Sequence, residues 1–211
     1  MYVPPHFAES DLSKLHEFIE QHSFALLVSP VEDVPFATHL PFLLDRRAGP
    51  QGTLIGHMAR ANPHWQQLEG QVVLAIFAGP HAYISPTWYE AENVVPTWNY
   101  TAVHAYGSVR LIHDKDALLK IVGDSIANYE AAMPKPWSLD ADEALVDRLL
   151  LEIVGFHIEI EKIEGKFKLN QNHSVERREE VVRALRERGG ENADALAAMM
   201  LEQIQEGRKE A

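Results

Sequence analysis

The sequence predicts a mainly β protein with peripheral helices, an α+β chain built on a small antiparallel barrel. Three observations carry this. The first 113 residues show no alternation of strand and helix patterns, which excludes a doubly wound parallel sheet. Six or seven short apolar or alternating runs are joined by turn-forming residues. Helical periodicity is confined to the start, the late middle and the end of the chain.

The elements follow in order. Met1–Phe7 (MYVPPHF) is held extended by its two prolines. Ser10 or Asp11 caps a helix to about Gln21, with Leu12, Leu15, Phe18 and Ile19 on one face. Phe24–Ser29 is an apolar strand, Pro30–Asp33 a turn, and Val34–Leu44 a β-rich alternating run. Asp45–Gly52 (DRRAGPQG) is a turn and Thr53–His57 a strand. Ala61–Leu68 suits one or two helical turns, with Pro63 near their start. Gln71–Phe77 is a strand, and Ala82–Ser85 is a short one ended by Pro86. Trp98–Ile112 is the longest alternating strand. Asp114 caps a helix to about Ala131, a proline-rich hinge follows, and Asp140–Leu151 is a second helix. Val154–Ile163 alternates strictly. Val175–Arg188 and Ala193–Gln205 are helices parted by Gly189 and Gly190. The chain divides into a barrel domain over 1–174, with helices inserted at 114–151, and a helical extension over 175–211.

Composition narrows the function. The 211 residues include no cysteine, which removes disulfides, thiol catalysis and cysteine-ligated metals and fits a reducing cytoplasm. No apolar run is long enough to span a membrane, and the start does not resemble a signal peptide. The net charge of −12 argues against a general affinity for nucleic acid. One basic stretch, Lys166–Arg188, holds seven Lys and Arg against four Glu and suits a solvated helix face.

No catalytic motif emerges. The 11 histidines contain no His-x-x-x-His pair within a helix pattern, so no metal is expected. A nucleophile elbow, a Walker loop and a Gly-x-Gly-x-x-Gly turn are all absent. What remains is a non-covalent site for a planar anion. Arg60 ends a strand, three residues after His57 and two before Asn62, and a guanidinium fork suits phosphate. Gly79–Gly107 holds three of the prolines, two of the four Trp, four of the six Tyr, and only two charges, Glu90 and Glu92. Such a stretch can wall a flat ring. Lys166, Lys168, Gln171 and Asn172 add donors. Arg60 is equally readable as a surface-turn arginine, and the individual aromatics as core or interface packing.

Six blocks, in order along the chain, resemble the PaiB-type family of FMN-binding negative transcriptional regulators. They are MYVPPHF, THLPFLLD at Thr38–Asp45, GHMARANPHW at Gly56–Trp65, GPHAYISPTWY at Gly79–Tyr89, VPTWNYTAVHAYG at Val95–Gly107 and GKFKLNQNHS at Gly165–Ser174. The resemblance implies an FMN-binding split β-barrel of Greek-key, antiparallel build, related to pyridoxamine-phosphate oxidases. It also implies a homodimer with FMN at the subunit interface. It assigns the phosphate to His57, Met58, Ala59, Arg60 and Asn62, the flavin to Tyr83, Ser85, Trp88, Trp98 and Asn99, and closure over it to Lys166, Lys168, Gln171 and Asn172. Where relatives carry Arg or Lys, this chain has His173, so phosphate affinity is expected to be weaker or pH-dependent. The family's regulatory role is expected to be indirect, because no helix-turn-helix is present and Arg177, Arg178, Arg183, Arg186 and Arg188 are interleaved with Glu. Two alternatives stand beside this. One is a flavin-dependent oxidoreductase on a small substrate. The other is a haem-binding barrel ligated by a histidine such as His173.

Overall fold

The structure is a computed structural model that describes residues 1–89, 94–139 and 142–210. Along the chain lie β1 (Ala8–Glu9), α1 (Leu12–Gln21), β2 (Phe24–Val31), β3 (Val34–Pro41), β4 (Leu43–Asp45), β5 (Thr53–Ala59), β6 (Val72–Ile84) and β7 (Thr97–Ile112). There follow α2 (Lys115–Glu130), α3 (Glu143–Leu151), β8 (Ile153–Lys168), α4 (Val175–Arg188) and α5 (Glu191–Glu210). The hydrogen-bonded strand order is β3-β2-β6-β7-β8-β5-β4, with β1 added to β8. The β1–β8, β2–β3, β2–β6, β4–β5 and β5–β8 pairs are all antiparallel.

Local chemistry sets the element ends. Asp11 caps α1 by accepting from the Ser13 and Lys14 N–H groups at 2.8 and 3.3 Å. Asp114 caps α2 through the Ala117 N–H at 2.9 Å, and Ser174 caps α4 through that of Arg177. Gly189 closes α4 with φ +66.

Several boundaries differ from the sequence expectation. β2 runs through Pro30 to Val31, and the turn shrinks to Glu32 and Asp33, both at positive φ (50° and 63°). That is the geometry a two-residue hairpin needs to match strand twist. The run expected over Val34–Leu44 is broken at Phe42, whose side chain turns inward and whose N–H donates to the Ser23 carbonyl at 2.9 Å. The strands expected at Gln71–Phe77 and Ala82–Ser85 are one strand. Proline costs β6 a single ladder donor, and the strand continues through Gly79 and Pro80. The buried positions then change phase, from 73, 75 and 77 to 80, 82 and 84. β8 continues to Lys168, beyond the alternating run. The helix expected from Asp140 begins at Glu143, and Asp140 itself lies outside the described residues.

The chain forms two compact units. The first comprises Met1–Leu15, Ala78–Val103 and Glu164–Ala211; the second comprises His16–Phe77 and His104–Ile163. The boundary expected at 174 falls inside the first unit. Its core joins Ala82 and Ile84 of β6 and Leu169 to Val181, Val182 and Leu185 of α4 and to Leu196, Ala197, Met200 and Ile204 of α5. The second unit buries Phe42, Phe77 and Phe156 edge to face, with centroids 5.7 and 5.9 Å apart, a packing worth about 1 kcal/mol per pair beyond area burial. Tyr129 of α2 donates to the Ser23 hydroxyl at 3.0 Å, and Leu118 and Ile121 cover Gly155.

Backbone proximity in the second unit makes Gly107 obligatory. A Cβ there would sit 2.0 Å from the Glu159 carbonyl oxygen, whereas one at Gly123 in α2 meets nothing within 4 Å. Gly107→Ala is therefore expected to cost about 3 kcal/mol or more. Gly123→Ala should stabilise by roughly 0.5–1 kcal/mol, because alanine loses less backbone freedom in a helix. Urea unfolding of the two variants reads both, and equal midpoints would refute the close approach.

Candidate functional site

The fourteen residues implicated by sequence fall into two groups. His57, Met58, Ala59, Arg60 and Asn62 belong to the second unit; Tyr83, Ser85, Trp88, Trp98, Asn99, Lys166, Lys168, Gln171 and Asn172 belong to the first.

In the second unit, β5 pairs with β8 so that His57 lies opposite Gly155 and Ala59 opposite Ile153. Met58 points into the core at 2% exposure, Ala59 is exposed, and His57 is half-buried. Burial pushes the His57 imidazole below its ordinary range, so it is held neutral. Arg60 grips backbone. Its Nε donates to the Leu151 carbonyl at 2.6 Å, its Nη2 to that of Ile153 at 2.8 Å, and its own N–H to that of Glu152 at 2.7 Å. Trp65 lies beneath, with the guanidinium carbon 5.8 Å from the ring centroid and the indole N–H donating to the Arg60 carbonyl at 2.8 Å. Asn62 starts a short 3-10 turn by accepting from the His64 N–H at 3.0 Å, and donates to the Thr38 hydroxyl at 3.1 Å. His64 was not anticipated. It is fully buried between the hydroxyls of Ser29 and Thr38, each 2.8 Å from a ring nitrogen. Only its place in the ANPHW block could have pointed to it.

In the first unit, β6, β7 and β8 each present two faces. One face packs on the α4–α5 core through Ala82, Ile84 and Phe167, joined by Leu169 just after β8. The period of two puts Tyr83, Trp98, Lys166 and Lys168 on the other face. Tyr83 and Trp98 meet edge to face at 6.0 Å and remain 41% and 54% exposed. His81, unanticipated, stands 6.3 Å from Trp98. Tyr100, two residues along from Trp98 and so on its face, takes the Lys166 ammonium at 5.0 Å from its ring. Lys166 is 7% exposed and donates to the Tyr2 carbonyl at 3.1 Å. Lys168 donates to the Thr97 hydroxyl, and its ammonium stands 5.8 Å from the Phe7 ring. Burial lowers the Lys168 pKa, and Lys166 lowers it further, while Tyr100 opposes this.

Asn99 lies on the opposite face from Trp98. It is fully buried, its amide donates to the Met200 sulfur at 3.6 Å, and its Oδ1 has no hydrogen-bond partner among the described residues. Ser85 caps the short turn at Pro86–Trp88 through the Thr87 N–H, and Trp88 packs on the helical core. Gln171 folds back, accepting from the Leu169 N–H at 2.7 Å and donating to the Phe167 carbonyl at 2.5 Å. Asn172 is exposed. The basic stretch is largely engaged within the unit. Arg177 lies over the Tyr89 ring, Arg178 is buried against Gln203, and Arg183 pairs with Glu180. Among the described residues no group of three or more potential ligands could hold a metal ion, and no helix is long and apolar enough to cross a membrane.

Residues 1–162 match a sequence family described as "Putative FMN-binding domain". The chain is 35% identical over 206 residues to protease synthase and sporulation protein PAI 2 of Bacillus subtilis, covering 97% of this chain and 98% of that one. An uncharacterised protein of Aspergillus fumigatus is 30% identical, with 96% and 97% covered. Two solved structures share the fold. The flavocytochrome Anf3 of Azotobacter vinelandii matches at TM-score 0.60 and 15% identity over 79% of this chain and 72% of its own. The FAD and heme binding protein of Mycobacterium smegmatis matches at 0.57 and 12%, over 82% and 78%. The expected split-barrel class is thus the observed one. The chain belongs to the FMN-binding family, among its PaiB-type members, and FMN is the cofactor of that family.

Arg60 clamps Leu151 and Ile153, so its removal should be felt in the fold. Arg60→Ala is expected to cost roughly 2–4 kcal/mol for two charge-assisted bonds. Arg60→Lys should recover little of this, because lysine lacks the fork. Urea midpoints measure it; unchanged midpoints would show that the clamp contributes nothing.

Proposed function

From this membership we propose that the chain is a dimeric FMN-binding protein of the PaiB regulator type, which binds FMN non-covalently and acts on transcription without reading DNA itself. The observation that carries the reading is the outer face of β6, β7 and β8 in the first unit. There, Tyr83 and Trp98 expose ring surface on the face that also carries Lys166, against Tyr100, and Lys168, bonded to Thr97. FMN joins a flat ring system to a phosphate. A chain of net charge −12 repels phosphate overall, so it needs local cations to hold one.

Tyr83, Trp98 and the Ser85–Trp88 turn are proposed as ring contacts, and Lys166 and Lys168 as the charges that attract the anion. Gln171 and Asn172 border them. Asn99 acts from behind, fixing β7 against Met200 so that Trp98 is held outward. Taken by itself, the second unit offers His57, the Nη1 of Arg60, carried by the Met58–Ala59 backbone, and Asn62, which are proposed as donors able to bind a phosphate. Bound FMN supplies hydride and single-electron chemistry; the side chains bind it, orient it and exclude water. The same exposed apolar surface, with Val95 at 76% exposure, supports self-association. An indirect regulatory role is supported by the engagement of Arg177, Arg178 and Arg183 within the unit, which leaves α4 a poor basic surface for a phosphate backbone.

Titration of FMN, followed by flavin fluorescence, tests the cofactor site. Lys168→Gln should weaken binding about tenfold, as expected for one charge-assisted contact. Because the lowered Lys168 pKa means its charge is lost as pH rises, affinity should fall at a pH below the ordinary lysine value of 10.5. Unchanged affinity in both Lys168→Gln and Lys166→Gln would refute the assignment. Trp98→Glu should convert the dimer to monomer in light scattering; a wild-type monomer would refute self-association.

A further inference from the structure

The structure gives His173 a specific partner. Its Nδ1 lies 2.9 Å from Nη1 of Arg177, one turn along at the start of α4. A guanidinium nitrogen can only donate, so the imidazole Nδ1 accepts, which requires neutral His173. The Arg177 guanidinium in turn lies over Tyr89, 4.7 Å from the ring centroid. Tyr89 directly follows the Pro86–Trp88 turn, and its N–H donates back to the Pro86 carbonyl at 3.4 Å. His173 directly follows Gln171 and Asn172, and its own N–H donates to the Asn170 carbonyl at 3.0 Å. One arginine therefore ties together two segments of the first unit, Ser85–Tyr89 and Asn170–His173. Both carry residues of the proposed FMN site.

We propose that Arg177 is a positioning residue for the cofactor site, held on Tyr89 by neutral His173, so that acidification frees the Ser85–Tyr89 turn and weakens FMN binding. The FMN part rests on the function proposed above; the contact chain does not. Among the described residues the charged groups acting on His173 are Arg177 on α4 and Lys168 at the end of β8, both cationic. Once protonated, His173 becomes a donor facing a donor, and among the described residues no carboxylate offsets this. Burial, then Arg177, then Lys168 hold its pKa below the ordinary 6.5. The contact is therefore complete above that value and is lost as pH falls through the lowered one. Arginine or lysine at this position could not accept from Arg177.

The test uses the full chain labelled with 5-fluorotryptophan. The Trp88 resonance is identified by its loss in Trp88→Phe and followed by 19F NMR from about pH 8 to about pH 5, the span over which a histidine changes charge. The resonance is expected to shift with a midpoint below 6.5 in the wild type. His173→Asn places an amide oxygen near the Nδ1 position, accepts from Arg177 and does not titrate, so it should hold the closed shift at every pH. Arg177→Gln should show the open shift throughout. FMN affinity should fall about tenfold on acidification in the wild type, the worth of one charged hydrogen bond, and stay level in His173→Asn. A flat wild-type Trp88 resonance, or a titration that persists in His173→Asn, overturns the proposal. Failure of FMN to bind at any pH, with the Trp88 titration intact, overturns the function proposed above and the cofactor clause while leaving the positioning contact standing.

Discussion

Burial of one face of β6, β7 and β8 against α4 and α5 is the constraint on which the first unit depends. Ala82, Ile84 and Leu169 are removed from water together with Val181, Leu185, Leu196 and Met200. A strand alternates its side chains, so this commitment forces Tyr83, Trp98, Lys166 and Lys168 onto the opposite face. The aromatics stay exposed because the face behind them cannot be surrendered. Asn99, between Trp98 and Tyr100, faces the core, and its buried oxygen, without a partner among the described residues, is a cost accepted within that packing.

The second unit spends its polar residues differently. Ser29, Thr38, Asn62 and His64 form a connected set in which both His64 ring nitrogens are satisfied. Such a network fixes one arrangement of the chain, because each buried polar group would be costly alone. Arg60 belongs to the same economy. Two of its donors hold the carbonyls that flank Glu152 and so fix the junction of α3 and β8. A motif that suggests ligand binding by composition is thus also a structural joint.

Much of the fold was legible in the sequence. Caps at Asp11, Asp114 and Ser174 act locally, through their own next turn, and the helices they start lie close to expectation. Long-range pairing was not legible. Nothing near Pro80 reveals that β6 continues through it, since that depends on neighbours distant in sequence. The break at Phe42 likewise answers to Phe77 and Phe156, and the extension of β8 to Lys168 answers in part to β1.

The candidate site divides in the same way. The motif blocks named the family and its cofactor, because those residue types in that order are a local record. Alternation alone also placed Trp98 and Tyr100 on one face of a strand. Which face was buried, which lysines met which rings, and how many donors Arg60 and Arg177 had left were decided by the tertiary structure. The physical reason is that each of these depends on a partner far along the chain. A guanidinium, an imidazole or a buried amide takes its role from what stands within hydrogen-bond reach, and sequence spacing does not carry that distance.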